Sequence, residues 1–347
     1  MNSAASNATM MPGEWARHMA TWIAWPHNES DWPGKFAPIR WVYGEFVRNL
    51  ARHERVRILA ASDAVEAEIR ETLLLVGAAD NWDIVRVATN RSWTRDTGPL
   101  FVKRGNEKLA THWHFNAWAK YDDWQLDARV APAIAHAAGV HAVKVEARGR
   151  QVVLEGGAID VDGEGTLLAT EECLQDAVQA RNPELPRADL EATLLTQLGA
   201  QRVVWLGRGI AGDDTHGHID DLARFVAPGR VVICRERDGS DENYRALEEN
   251  WERLQGARDA KGRALDVIEL PMPRALGFEG RRLPASYANF YIANDVVLVP
   301  TFNDPADRRA LGILGELFPS RQIVGIHCVD LVWGLGTLHC MTQQEPA

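Results

Sequence analysis

The sequence predicts an α/β protein built from a recurring strand–turn–strand unit. Two observations carry that expectation. First, helical patterns near 39–53, 63–77, 173–181, 187–199, 240–256 and 305–318 alternate with short β-rich runs. Those runs are Val56–Ala60, Trp82–Ala88, Arg202–Leu206, Val267–Leu270 and Gln322–His327, and such alternation is the mark of α/β folds. Second, Pro99–Phe115, Ala158–Thr170, Leu222–Arg235 and Tyr287–Phe302 each read as a hairpin whose turn carries Gly, Asn or Asp. The starts at 99, 158, 222 and 287 recur at intervals that would fit about five copies into 347 residues. A repeat of that period points to a radial or stacked arrangement, in which no unit buries its own face alone.

Composition excludes several classes. About a quarter of the residues are charged and 46% are hydrophobic, as in ordinary globular proteins. With 38 Lys and Arg against 48 Asp and Glu, the net charge is −10, which disfavours general nucleic-acid binding. No apolar run is long enough for a membrane span. Met1–Met11 lacks the basic and apolar regions of a signal peptide, so the expected location is cytoplasmic. Cys173, Cys234, Cys328 and Cys340 are widely spaced, which speaks against a structural zinc site or a disulfide framework.

Reactive side chains stand just ahead of the hairpins. Trp93-Thr94-Arg95-Asp96-Thr97-Gly98 precedes the first, Leu154-Glu155-Gly156-Gly157 the second, and His216-Gly217-His218-Ile219-Asp220-Asp221 the third. The C-terminal stretch adds Gly334-Leu335-Gly336-Thr337-Leu338-His339-Cys340. If the units surround an axis, Asp96, Glu155, His218, Asp220 and Cys340 converge. Each has a plainer alternative. Asp96 could be a turn residue or an ion-pair partner. Glu155, at the end of an apolar run, needs some partner. His216, His218 and Asp220 are spaced like metal ligands on one face of an extended segment. Cys340 could be a small core residue.

The combination narrows the chemistry. A cysteine and a histidine suffice for nucleophilic attack, and three further acids need a cation to offset them. A guanidinium fits, being planar, permanently charged and rich in N–H donors that match carboxylates. Trp93 and Trp118 are candidate walls for its flat face. A guanidine attacked by a thiolate is therefore the substrate class expected from the residues.

The same runs, together with Met11-Pro12-Gly13-Glu14-Trp15, Phe115-Asn116-Ala117-Trp118, Ala285–Asn294 and Leu338–Gln344, resemble the agmatine deiminase and bacterial peptidyl-arginine deiminase family of the guanidine-modifying pentein superfamily. Each run is weak alone, but seven in order over nearly the whole chain are specific. The resemblance implies a five-bladed α/β propeller of ββαβ-type repeats, forming one catalytic domain over 1–347. It implies Cys340 as nucleophile, His218 as acid and base, and Asp96, Glu155 and Asp220 as guanidinium ligands, with no metal or other cofactor. It implies hydrolysis of agmatine to N-carbamoylputrescine and ammonia through a covalent thiouronium. Deimination of free or peptide-linked arginine, or plain binding of a cationic guanidine, are the alternatives. A homodimer fits the resemblance. The sequence departs from it at Leu335 and Thr337, where a Gly and an Asn are usual, and at His216, where an Asp is usual. The stretch after Trp118 is also shorter.

Overall fold

The computed structural model describes residues 8–347. The expectation about a signal peptide in Met1–Met11 therefore falls mostly outside the described residues. Among them, strands assemble into five sheets of three or four strands, plus two short two-stranded ribbons.

Four sheets begin with the hairpins expected from sequence: Leu100–Arg104 with Glu107–His112, Ile159–Val161 with Thr166–Thr170, Ala223–Ala227 with Arg230–Arg235, and Tyr291–Ile292 with Val296–Thr301. In each, a third strand joins parallel to the second: His141–Lys144, Arg202–Leu206, Asp266–Pro271 or Gln322–His327. Parallel neighbours need a crossover. The crossovers carry the helices Val130–Ala138, Arg187–Leu198, Tyr244–Gly256 and Pro305–Leu317.

The fifth sheet is closed by the two ends of the chain. Thr342–Pro346 pairs antiparallel with His18–Ala24, which pairs parallel with Arg55–Ala60, which pairs parallel with Trp82–Arg86. Helices Ile39–Leu50 and Asp63–Leu75 are its crossovers. The strand bearing the C-terminal motif is thus clamped into a sheet with the N-terminal segment, which fixes Cys340 in space.

Several boundaries differ from expectation. The helix expected over 173–181 spans only Glu171–Gln175, capped by the Thr170 side chain accepting from the Cys173 N–H. Helix Val130–Ala138 had not been expected; it has Pro132 in its first turn, where a missing N–H costs nothing, and ends at Gly139 with φ of 68°. In the fourth hairpin, residues 287–290 are not paired, because they turn inward as a buried loop. The core is dominated by fully buried aromatics, including Trp22, Trp25, Trp32, Tyr43 and Phe46. All four cysteines are free and buried.

Candidate active site

The side chains singled out from sequence arise at one recurrent place, the residues that lead into the first strand of each hairpin. Asp96 sits in the short helical turn Thr94–Thr97, ahead of strand Leu100–Arg104. Its neighbour Arg95 points elsewhere, donating to Gln344 Oε1 at 2.6 Å and Glu14 Oε2 at 3.2 Å, so Asp96 is not its ion-pair partner. Asp96 Oδ1 instead accepts from the Gly157 N–H at 3.0 Å, and Oδ2 from Trp118 Nε1–H at 2.9 Å. Trp118 reaches it from a turn whose residues Ala117, Trp118 and Ala119 all have left-handed φ of 51° to 58°, pinned by Asn116 Oδ1 accepting from the Ala119 N–H. Three consecutive non-glycine residues in that region store strain, which is characteristic of functional sites.

Glu155 and His218 are buried side by side. Glu155 Oε1 accepts from Arg181 Nε–H at 3.1 Å, and Oε2 lies 3.7 Å from His218 Nε2. The other imidazole nitrogen, Nδ1, is 3.9 Å from both Asp96 Oδ1 and Asp220 Oδ1. Glu155 therefore stands on the Nε2 side of the imidazole, and Asp96 and Asp220 on its Nδ1 side. Gly157 explains how these groups come so close: a Cβ there would lie 2.5 Å from His218 Nδ1 and 2.9 Å from Asp96 Oδ1.

Cys340 precedes the C-terminal strand. Its Sγ is 3.6 Å from Asp220 Oδ2 and 3.1 Å from Asn289 Nδ2. Gly336 allows this, since a Cβ there would meet Trp93 at 2.9 Å and Cys340 Sγ at 3.2 Å. Asp220 Oδ2 also accepts from His339 Nδ1–H at 2.7 Å, while its Oδ1 has no hydrogen-bond partner despite complete burial. A cavity of about 100 Å³ is lined by Trp93, Asp96, Trp118 and Cys340, with Leu335 and Gly336 also in its wall, while Asp220 and His218 lie behind that lining. Arg91, Asp31, Asp214 and Arg281 also line it.

The charges are far from their solution states. Burial, reinforced by Asp220 and Glu155 but opposed by His218, pushes the Asp96 carboxyl up to about 6. Burial alone would raise Glu155, but Arg181 and His218 pull it down to about 2. Burial disfavours the His218 cation, yet the Asp96 charge and the closeness of Cys173 and Glu155 hold its proton well above the usual range. Asp220 is held low despite burial by the His339 bond. Burial and the neighbouring Asp220, Asp221 and Asp96 push the Cys340 thiol well up.

Some functional-looking residues were not singled out from sequence. Arg181 has no local signal, lying 26 residues from its partner Glu155 in a loop. Glu14 and Arg224 form a buried ion pair at 2.9 Å beneath the site, and Arg224 also faces Asp160 at 3.5 Å, so it is no receptor for a substrate carboxylate. Arg208 does not line the cavity. His339 and Asn289 lay inside motifs but were overshadowed by Cys340 and by aromatic neighbours.

Metal-ligand geometry is limited. His216 faces Asp176 at 3.5 Å instead of joining His218 and Asp220. Donors of Glu155, Cys173 and His218 lie within 4.8 Å of one another, as do those of Asp220, Asp221 and Cys340, so these are the groupings that could take a cation. In the first, Arg181 already supplies the positive charge against Glu155.

A buried thiol, an imidazole and acids around an aromatic-walled cavity define a cysteine-dependent site for a flat cation. The chain belongs to the Porphyromonas-type peptidyl-arginine deiminase family, whose sequence description matches residues 10–346. It is 37% identical over 364 residues to the agmatine deiminase of Stutzerimonas stutzeri strain A1501, covering 97% of this chain and 95% of that one. Among solved structures it resembles the agmatine deiminase of Enterococcus faecalis catalysing its reaction, with a TM-score of 0.90 and 32% identity over 98% of this chain and 96% of that one. It also resembles a substrate-bound agmatine deiminase from C. jejuni, with a TM-score of 0.87 and 28% identity over 98% and 96%.

Proposed function

We propose that the protein hydrolyses the guanidine group of agmatine, giving N-carbamoylputrescine and ammonia, through a covalent intermediate on Cys340. The observation that carries this reading is the placement of Cys340 Sγ 3.6 Å from Asp220, in a cavity that Asp96, Trp93 and Trp118 also line. Anions with aromatic walls suit a planar cation, and the sulfur lines the same cavity.

The chemistry follows from the charges. Asp220 Oδ1, buried without a partner, and Asp96 accept guanidinium N–H bonds. The arriving cation offsets the acids that hold the thiol protonated, so as the substrate seats the thiol gives its proton to solvent and the thiolate forms. Sulfur attacks the guanidinium carbon. His218 delivers its Nδ1 proton to the departing nitrogen, the C–N bond breaks and ammonia leaves. Water then gives a proton to the neutral imidazole and attacks the thiouronium carbon. The C–S bond breaks and the ureido product departs. Glu155, 3.7 Å from Nε2, serves this cycle by offsetting the charge of the protonated imidazole. Acid–base assistance of this type contributes about 10²–10⁴-fold.

The distal end favours an amine over a carboxylate. Arg91 is engaged by Asp31 at 3.3 Å and Asp123 at 2.8 Å, and Arg281 lies 3.9 Å from Asp214. Arg281, only loosely met, is the one lining arginine open to a substrate carboxylate, whereas two acids, Asp31 and Asp214, stand there for an ammonium tail. The relatives named agmatine deiminase support the same choice.

The wider architecture fits this reading. The five sheets are the blades of a five-bladed α/β propeller, the pentein arrangement, forming one catalytic domain. Asp96, Glu155, Asp220 and Cys340 lead into four different sheets, so a ring of sheets brings residues up to 244 positions apart to one centre. No helix among the described residues is long and apolar enough to cross a membrane. A cytoplasmic location and a homodimer belong to the same reading.

The test is an ammonia-release assay with agmatine, arginine and a blocked arginine peptide. Agmatine should be preferred, and Cys340→Ala should abolish release while still binding agmatine. Turnover by that variant would remove Cys340 from the chemistry; preference for arginine or the peptide would overturn the substrate.

A further inference from the structure

The fourth sheet contributes no acid to the site, yet it is led by a polar residue in the same position as the others. Asn289 stands just ahead of Tyr291–Ile292, as Asp96, Glu155, Asp220 and Cys340 stand ahead of their own strands. Its neighbours Tyr287, Ala288, Phe290 and Tyr291 are fully buried in the apolar core, and so is Asn289. A buried amide is costly unless each of its groups is bonded.

Those bonds fix which way the amide faces. Oδ1 accepts from Thr337 Oγ1–H at 2.8 Å, from the His339 N–H at 3.0 Å and from the Cys340 N–H at 3.3 Å. Two of these are backbone donors that can only donate. A flipped amide would set its NH2 against them, so the orientation is determined by the network. Nδ2 is left with two acceptors, Asp221 Oδ1 at 3.0 Å and Cys340 Sγ at 3.1 Å. Thr337, one of the departures noted in the sequence, is a direct part of this arrangement.

We propose that Asn289 stabilises the thiolate of Cys340 by donating Nδ2–H to the sulfur, while its oxygen positions the nucleophile's loop. The proposal rests on Cys340 being the nucleophile. The need is electrostatic. Burial and the charges of Asp220 and Asp96 oppose ionisation of the sulfur, and Asp221, whose carboxyl burial and Asp220 push well up, adds to this when it ionises. His339 answers Asp220 and not the sulfur itself. A Lys or Arg beside Sγ would stabilise the thiolate but repel a cationic substrate. A neutral amide donor favours the anion without that conflict.

The experiment measures iodoacetamide alkylation of Cys340 in the intact, substrate-free protein, read by peptide mass spectrometry from pH 6 until the rate reaches its plateau. In Asn289→Ala the pH of half-maximal rate should rise by about one unit, a roughly tenfold slower alkylation at pH 8, with the plateau little changed. Asn289→Asp keeps an oxygen for the loop but removes the donor, so its half-maximal pH should rise at least as far; it decides the matter if the alanine variant does not fold. An unmoved half-maximal pH, even with a lowered plateau, would overturn the proposal and leave Asn289 a scaffold residue. If alkylated wild-type Cys340 still supports turnover, it is the nucleophile reading that fails.

Discussion

His339 stands between two buried carboxylates, its Nδ1 2.7 Å from Asp220 Oδ2 and its Nε2 2.8 Å from Glu14 Oε2. His339 thus bridges two acids that are both held below their usual range, and its bond is among the causes for each. The residue next to the nucleophile thus helps keep the Asp220 carboxyl low through a 2.7 Å bond. Glu14 is in turn held by Arg95 and Arg224, which ties Asp220 to a rigid buried network.

His339→Gln should therefore change the pH profile as well as the rate. The Asp220 carboxyl is lowered in the fold, so it is charged at neutral pH and loses that charge only in acid. Without His339 its proton is held to higher pH. The acid limb of kcat/KM should move upward, and kcat/KM at pH 7 should fall by about 10²-fold, a loss of the size expected from a buried charge-assisted bond. A profile recorded from pH 5 to 9 checks this. A loss of thermal stability with an unmoved acid limb would reduce His339 to a structural role.

Asp96 illustrates a conflict between function and stability. Its carboxyl is pushed up to about 6, above the 3.8 of an ordinary aspartate. The fold therefore favours the protonated form, and that advantage is present below pH 4 and lost as the pH rises through 6. At pH 8 the ionised group costs the empty enzyme on the order of 3 kcal/mol. Asp96→Asn should raise the melting temperature of substrate-free protein at pH 8, with the gain vanishing toward pH 4. The same variant should lose agmatine binding and turnover together. Equal melting temperatures at both pH values would show that Asp96 carries no such penalty.

What could be seen in the sequence, and what could not, follows from the range of the interactions. Hairpins are local, so four of the five sheets were legible from strand–turn–strand patterns. The fifth pairs His18 with Pro346, and no local pattern shows a sheet made from opposite ends of a chain. Asp96, Glu155, His218, Asp220 and Cys340 were legible because a polar group beside an apolar strand needs an explanation. Their division of labour was not. Glu155 reads as a substrate ligand until Arg181 and the far side of the His218 ring are placed against it. Asn289 was hidden because a single amide among Tyr and Phe carries no charge pattern.

Gly157 should tolerate no side chain, although its backbone is not in the left-handed region. The obstacle is steric: an added Cβ would lie 2.5 Å from His218 Nδ1 and 2.9 Å from Asp96 Oδ1, both held by buried partners. Gly157→Ala should thus displace the imidazole or the carboxylate by several tenths of an ångström. Misplacement of that order is expected to lower kcat by about 10²-fold or more. Steady-state kinetics with a folded, purified variant test it, and near-normal kcat would mean that the imidazole has more freedom than the packing allows.

Leu335 tests whether the mouth of the cavity selects the substrate tail. It is left-handed at φ of 68°, a conformation that costs a leucine about 1–2 kcal/mol, and it lines the cavity one residue from Gly336 and close to Cys340. A strained branched side chain in such a place narrows the path past Trp93 and Trp333. Leu335→Gly removes both the side chain and the strain, whereas Leu335→Ala removes most of the side chain and keeps the strain. Both variants should raise kcat/KM for guanidines with bulky tails relative to agmatine, by about tenfold, since one or two methylene contacts set discrimination of that size. Only the glycine variant should recover the backbone strain, partly cancelled by the added freedom of its unfolded chain. Parallel measurement of substrate profile and melting temperature separates the two effects. If the substrate profile shifts in the glycine variant but not in the alanine variant, selection lies in the backbone conformation and not in the leucine side chain.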